Sequence, residues 1–299
     1  RRGEGALTHR EDSVRHAALG VLAAASADDK PAEARRVAAA WRAGALETPP
    51  AGEDLEVPAR PARPERPALV PPGNVKRRRL TSPAGRFALL HAVAHIEFNA
   101  IDLAFDLIAR FGADPRIDED ARAEFITDWI GVGDDEARHF MMVRERLGEL
   151  GGDYGDLPAH DGLWSAAEAT ADDLAARLAI APMVLEARGL DVTPGMIERL
   201  RGAGDPASAA PLETIYAEEI GHVACGRRWF EHVCAREGED PQVRFQTLVS
   251  ERFKGGLKPP FNAEARERAG LPEDFYAPLV AESARGSAES LHGRTRKQC

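Results

Sequence analysis

Two Glu-x-x-His sequences constrain this chain more than any other feature. Glu136-Ala-Arg-His139 and Glu219-Ile-Gly-His222 each sit inside a run of apolar residues at helical spacing. In the first run these are Phe125, Trp129, Val132, Val143 and Leu150; in the second, Leu212, Ile215, Trp229 and Val233, with Gly226 on the same face. Residues three apart share a helix face, so each Glu and His point the same way as the apolar seam. A carboxylate and an imidazole on a buried seam are costly unless something compensates them. A metal ion compensates both. Two further helical stretches each place one glutamate on the corresponding face, Glu97 and Glu186. A lone Glu-x-x-His is most often a surface pair. Two copies on apolar seams, in the order Glu, ExxH, Glu, ExxH, point to six ligands: Glu97, Glu136, His139, Glu186, Glu219 and His222.

The helices that carry them can be read from caps and periodicity. Residues from about 11 to 46 give two short helices, and a proline-rich stretch follows from Pro49 to about Pro83. Its prolines remove donors and favour extended chain, so it reads as a linker or a strap over the next domain. The basic run Lys76–Arg79 closes it, read as solvated surface or an anion contact. Ser82-Pro83 is a good N-cap followed by proline at the first helical position, and Gly112 predicts the end of that first long helix. A second helix is expected from about Asp118 to Leu150. The Gly-, Pro- and Asp-rich segment 151–164 suits a crossover, with His160 and Trp164 placed to cover one end of a bundle. The capping box Ser165-Ala-Ala-Glu168 predicts the start of a third helix, kinked or divided at Pro182 and ending at Gly189. A short helix is expected from Pro194, a fourth long one from about Pro211 to Arg236, and short ones from Pro241 and after Asn262. The expected domains are an N-terminal helical extension (1–48), a proline-rich strap (49–81), a four-helix bundle with short C-terminal helices (82–275) and a polar, disordered tail (276–299).

Composition narrows the function. The formal net charge of −10 argues against nonspecific nucleic-acid binding, which relies on Lys and Arg neutralising phosphates. Cys225, Cys234 and Cys299 form no CxxC pair and are odd in number, which suits a reducing, cytoplasmic compartment better than a disulfide framework. No run of eighteen apolar residues is present, so no membrane span is expected. Few aromatics and plentiful alanine favour helix over sheet, and the fold expected is all-α.

Other residues near the motifs have narrower readings. Asp135 and Glu218 each precede a motif glutamate and could accept a hydrogen bond from the histidine of the opposite motif. Tyr216, three residues before Glu219, is a core tyrosine or an outer donor to the site. His91 and His95 do not share the face of Glu97 and read as packing or outer-layer residues. Cys225 reads as an inert thiol. Gly131 and Gly133 either permit close helix approach or form a local bulge.

Four segments carry a family resemblance: LHAVAHIEFNAID from Leu90 to Asp102, YGDLPAHDGLW from Tyr154 to Trp164, LEARGLDVTP from Leu185 to Pro194, and EEIGHV from Glu218 to Val223. Together they resemble the domain of unknown function 455 family, bacterial proteins of ferritin-like fold, from the first helix pair to about Gly270. The Glu, ExxH, Glu, ExxH set is that of ferritin-like di-iron and di-manganese carboxylate proteins. Hard carboxylates with one nitrogen per metal suit two iron ions, or manganese or a mixed iron–manganese pair. The resemblance implies analogy to di-iron hydroxylases, including one acting on a modified tRNA base. The expected function is an O2-activating oxidoreductase of hydroxylase or monooxygenase type, using an external electron donor and a small-molecule or modified-base substrate. The competing readings are a non-enzymatic metal-handling protein and a di-manganese, catalase-type peroxide scavenger.

Overall fold

The computed structural model describes residues 12–74 and 79–280, and among these the chain is helical, with no strand. Lys76–Arg78 and the tail beyond 280 lie outside the described residues. No helix among those described is long and apolar enough to cross a membrane. The chain divides into two compact units. One comprises the residues up to Leu174 together with Pro194–Ile215, the other Ala175–Thr193 together with the residues from Tyr216 onward.

The first unit is built on a helical hairpin. Helix α3 (Pro83–Phe111) starts where Ser82 Oγ accepts from Gly85 N–H, with Pro83 in the first turn, and ends at Gly112. Helix α4 (Glu119–Glu149) follows a short turn. Phe98 packs on Phe140, ring centroids 5.1 Å apart, and Phe105 lies against Gly133, so the two helices run antiparallel. Gly133 allows that approach: a methyl group there would come within 2.6 Å of the Phe105 ring. At Gly131 a methyl would meet no described atom within 4 Å.

Helices α1 (Val14–Ala23) and α2 (Asp29–Arg42) pack on this hairpin through buried cations. Arg15 Nε donates to Ala109 O at 2.8 Å. Lys30, fully buried, pairs with Asp102 of α3 and donates to Val21 O at 3.1 Å. At the α2 end, Trp41 Nε1 donates to Thr127 Oγ1 and Arg42 pairs with Asp134. The proline-rich segment is fastened along the same unit by backbone bonds. Ala62 N–H donates to Leu22 O, and Val70 N–H to Ala159 O, while Ala159 N–H donates back to Ala68 O. Trp164 Nε1 donates to Ala59 O at 3.1 Å.

The crossover is pinned to α3 by the two histidines there. His91 Nε2 accepts from Gly155 N–H at 2.9 Å and from Leu157 N–H at 3.3 Å. His95 accepts from the Tyr154 hydroxyl at Nδ1 and donates from Nε2 to His160 O. Burial holds both imidazoles below their ordinary range, His95 down to about 4, so both act here as neutral rings.

The third helix departs from the sequence expectation at both ends. A short helix, α5 (Gly162–Glu168), starts right after Asp161, which makes no side-chain capping bond, and Ser165 lies inside it, its hydroxyl donating to Asp161 O. The chain turns before α6 (Leu174–Ile180). A π-helical turn, Ala181–Glu186, follows with Pro182 near its start, where proline cannot donate to the preceding turn. Helix α7 then runs unbroken from Ala187 to Gly202, through both Gly189 and Pro194. A single glycine weakens a helix by only about 1 kcal/mol. Pro194 leaves the Leu190 carbonyl without its helical donor, and Asn262 Nδ2 donates to it at 3.2 Å. Helix α8 likewise starts earlier than expected and spans Pro206–Glu237, with Pro211 inside it.

In the second unit the π turn packs on α8 at Gly226, where a methyl would fall 2.3 Å from Pro182 Cγ. Helices α9 (Pro241–Arg252) and α10 (Ala263–Arg268) open on side-chain caps from Asp240 and Asn262. Buried Arg266 grips Asp191 of α7 through two bonds, at 2.8 and 2.7 Å. Its guanidinium stacks on Phe261 and Tyr276. Residues 273–280 are helical and bury Phe275, Tyr276 and Leu279, so ordered helix continues past residue 275.

Two expectations follow for stability. Gly133→Ala should lose roughly 1–3 kcal/mol by overpacking against Phe105, while Gly131→Ala should gain up to about 1 kcal/mol of helix propensity. Denaturant titration of both variants checks this, and equal effects would contradict it. The second concerns Lys30. Burial pushes the Asp102 carboxyl up to about 7 against the pull of Lys30, far above the ordinary value near 3.9 of an unfolded chain. The folded state therefore keeps a proton that the unfolded state has lost, and stability falls as pH rises from about 4 towards 7. Lys30→Met removes the opposing pull, so the fall should keep the same slope but continue beyond pH 7, where the wild type levels off. At pH 8 the variant should be on the order of 3–5 kcal/mol less stable than the wild type. Unfolding midpoints measured from pH 5 to 8 test this, and parallel profiles for the two proteins would contradict it.

Candidate metal centre

Helices α3 and α4 bring three of the six expected ligands together inside the first unit. Glu97 projects from the middle of α3, and Glu136 and His139 from one face of α4. Glu136 and His139 have no solvent exposure and Glu97 only 4%. His139 Nδ1 lies 3.3 Å from a Glu97 oxygen and 3.4 Å from a Glu136 oxygen. One donor atom from each of the three falls within 4.8 Å of the others. Burial alone would drive the His139 imidazolium to lower pKa, but the carboxylates of Glu136 and Glu97 more than reverse this and hold it up to about 11. The cluster is therefore a place that favours positive charge.

This donor set fits a metal ion. Two ligands each about 2.0–2.2 Å from one ion, at roughly right angles or slightly wider, stand about 3.0–3.4 Å apart. The two histidine–carboxylate spacings match that and exceed an ordinary charge-assisted hydrogen bond, about 2.7–2.9 Å. Two carboxylates with one imidazole suit a hard or borderline divalent ion rather than one selected by thiolates.

The second unit carries the matching motif on α8. Glu219 and His222 are both buried, and His222 Nδ1 stands 3.6 Å from a Glu219 oxygen. Glu186 is the last residue of the π turn and is half-buried. Asp135, one residue before Glu136, pairs with Arg138 on its own helix and is partly exposed. Glu218 is half-buried on α8. The Tyr216 hydroxyl accepts from Asn262 Nδ2 at 2.9 Å, which ties α8 to the start of α10.

Some buried polar residues close to these helices carried no sequence signal. Lys30 and Arg15 lie on short amphipathic helices whose charges read as surface. Asp102 and the half-buried Asn99 fall within the segment Leu90–Asp102, but neither shares a spacing that marks a ligand. Only the tertiary packing of α1 and α2 shows where these groups go.

No solved structure matches the chain. A Haemophilus influenzae (strain ATCC 51907 / DSM 11121 / KW20 / Rd) protein, described as an uncharacterized protein, is 41% identical over 216 residues, which cover 71% of this chain and 74% of the relative. Residues 23–277 match the family described as protein of unknown function (DUF455), and the chain belongs to that family.

Proposed function

We propose that this is a ferritin-like di-metal carboxylate protein whose two ions, iron in the cell, are held by Glu97, Glu136, His139, Glu186, Glu219 and His222. We read it as an O2-activating oxidoreductase of hydroxylase or monooxygenase type. The buried Glu97–Glu136–His139 cluster carries the reading, since three ionisable side chains are held in an apolar core with their donor atoms converging. Support comes from the second buried Glu-x-x-His of α8 and from the charge balance. Four carboxylates would neutralise two divalent ions, leaving both histidines neutral. When bound, such an ion pair supplies an O2-binding, two-electron redox centre.

The chain's own residues have distinct tasks in this scheme. Glu97 and Glu136 supply charge and converge on one ion with His139. Glu186, Glu219 and His222 supply the second set. Asp135 and Glu218 act as positioning residues: in the proposed arrangement Asp135 accepts from His222 and Glu218 from His139, which fixes each tautomer. Ile101, one turn after Glu97, and Phe140, next to His139, are fully buried and keep the surroundings of these two groups apolar. The substrate is an organic molecule, and reducing equivalents come from an external donor.

Protein purified anaerobically after iron-replete expression should hold close to two iron equivalents per chain. Glu136→Ala and His222→Ala should each lose most of that metal while remaining helical. Asp135→Ala and Glu218→Ala should keep the fold and lower metal affinity or activity by roughly 10–100-fold. Stoichiometric tetrahedral zinc, or no bound metal, would sink the metal assignment. The reduced protein should consume O2 in the presence of a donor. Peroxide disproportionation by manganese-loaded protein, without O2 uptake by the iron form, would favour the scavenger instead.

A further inference from the structure

Between the proline-rich segment and α3 lies a cavity of about 260 Å³, well away from the carboxylate face of that helix. Asn99 and Asp102, which line it, stand about 200° and about 140° around α3 from Glu97. Its walls include three buried aromatic rings, Phe98, Tyr154 and Trp164. Those rings are held in place. Phe98 packs on both Phe140 and Tyr154, the Tyr154 hydroxyl donates to His95, and Trp164 Nε1 is bonded to Ala59 O.

The charged groups around the cavity are unevenly paired. Arg60 is matched by Asp161 and Glu168, and Asp102 by Lys30. Arg63, at the rim, donates to Pro67 O at 2.9 Å, but no carboxylate among the described residues pairs with it. Arg63 is thus the cation at this cavity with no carboxylate partner among the described residues, its remaining N–H donors open to an anion. One acceptor is left over as well: Asn99 Nδ2 donates to His95 O at 2.6 Å, while Asn99 Oδ1 has no hydrogen-bond partner among the described residues. A cavity of about 150 Å³ is enough for benzene, so this one has room for a fused ring with a short arm.

We propose that this cavity is a binding site for a small heteroaromatic monocarboxylate with a ring N–H, of the indole-acid class. The carboxylate pairs with the Arg63 guanidinium, which can grip both its oxygens. The ring lies among Phe98, Tyr154 and Trp164, and its N–H donates to Asn99 Oδ1. The prolines at 61, 64 and 67 stiffen the outer wall, so little of that wall must be ordered on binding.

Isothermal titration of the full-length protein with indole-3-acetate tests the proposal. Saturable one-site binding with a sub-millimolar Kd is expected. Indole-3-acetamide, which lacks the charge, should bind at least about tenfold more weakly, and naphthalene-1-acetate, which lacks the N–H, several-fold more weakly. Arg63→Gln should weaken indole-3-acetate by at least about tenfold, with melting temperature and helix content unchanged, because the side chain is exposed at the rim. Glu136→Ala, which disturbs only the carboxylate cluster, should leave the affinity as it is. No saturable binding at millimolar ligand, or equal affinity for the acid and its amide, would overturn the proposal. So would an Arg63→Gln protein that binds as tightly as the wild type.

Discussion

Burying Glu97, Glu136 and His139 among apolar side chains is the constraint on which the first unit depends. Taking one ion out of water carries an effective penalty of several kcal/mol, while a whole domain is stable by only about 5–15 kcal/mol. Three such groups on two neighbouring helices are tolerated only if they face one another and share positive charge. They face one another only if α3 and α4 keep a single register. Gly133 against Phe105 and Phe98 against Phe140 set that register on either side of the cluster.

The same hairpin carries the other features of the unit. Arg15 reaches the Ala109 carbonyl, and Lys30 pairs with Asp102 a little more than one turn beyond Glu97. His91 and His95 use the opposite side of α3 to fasten the crossover, and the crossover pairs with the proline-rich segment at Ala159. Two faces of one helix thus have different chemistry. One gathers carboxylates, and the other gathers neutral imidazoles, an aromatic wall and an arginine that no carboxylate among the described residues pairs with.

Much of this was legible in the sequence because local rules decided it. Ser82-Pro83, Gly112, Asp118 and Asn262 mark helix ends that their own side chains or backbone geometry enforce. The Glu136/His139 spacing places both groups on one buried face whatever surrounds them. The misreadings lie where a distant residue replaced a local signal. Pro194 read as a helix start, yet the carbonyl it leaves without a donor is served by Asn262, about seventy positions away. Ser165 and Glu168 have the spacing of a capping box, but Asp161 starts its helix earlier, and both Asp161 and Glu168 are held by Arg60. Lys30 and Arg15 could not be assigned to the core from sequence, because a buried lysine and a solvated one look alike until their partner is known. The pocket beside Arg63 was invisible for the same reason, since its walls come from residues as far apart as Pro61 and Trp164.

The proposed centre requires that the ligands of α3 and α4 act together with those of the π turn and α8. Diffraction from iron-loaded crystals, recorded at the iron absorption edge, addresses this most directly. Two anomalous peaks roughly 3.5–4 Å apart, ligated by Glu97, Glu136, His139, Glu186, Glu219 and His222, are the result expected. A single peak on Glu97, Glu136 and His139 alone, with Glu219 and His222 away from any metal, would contradict a two-metal centre.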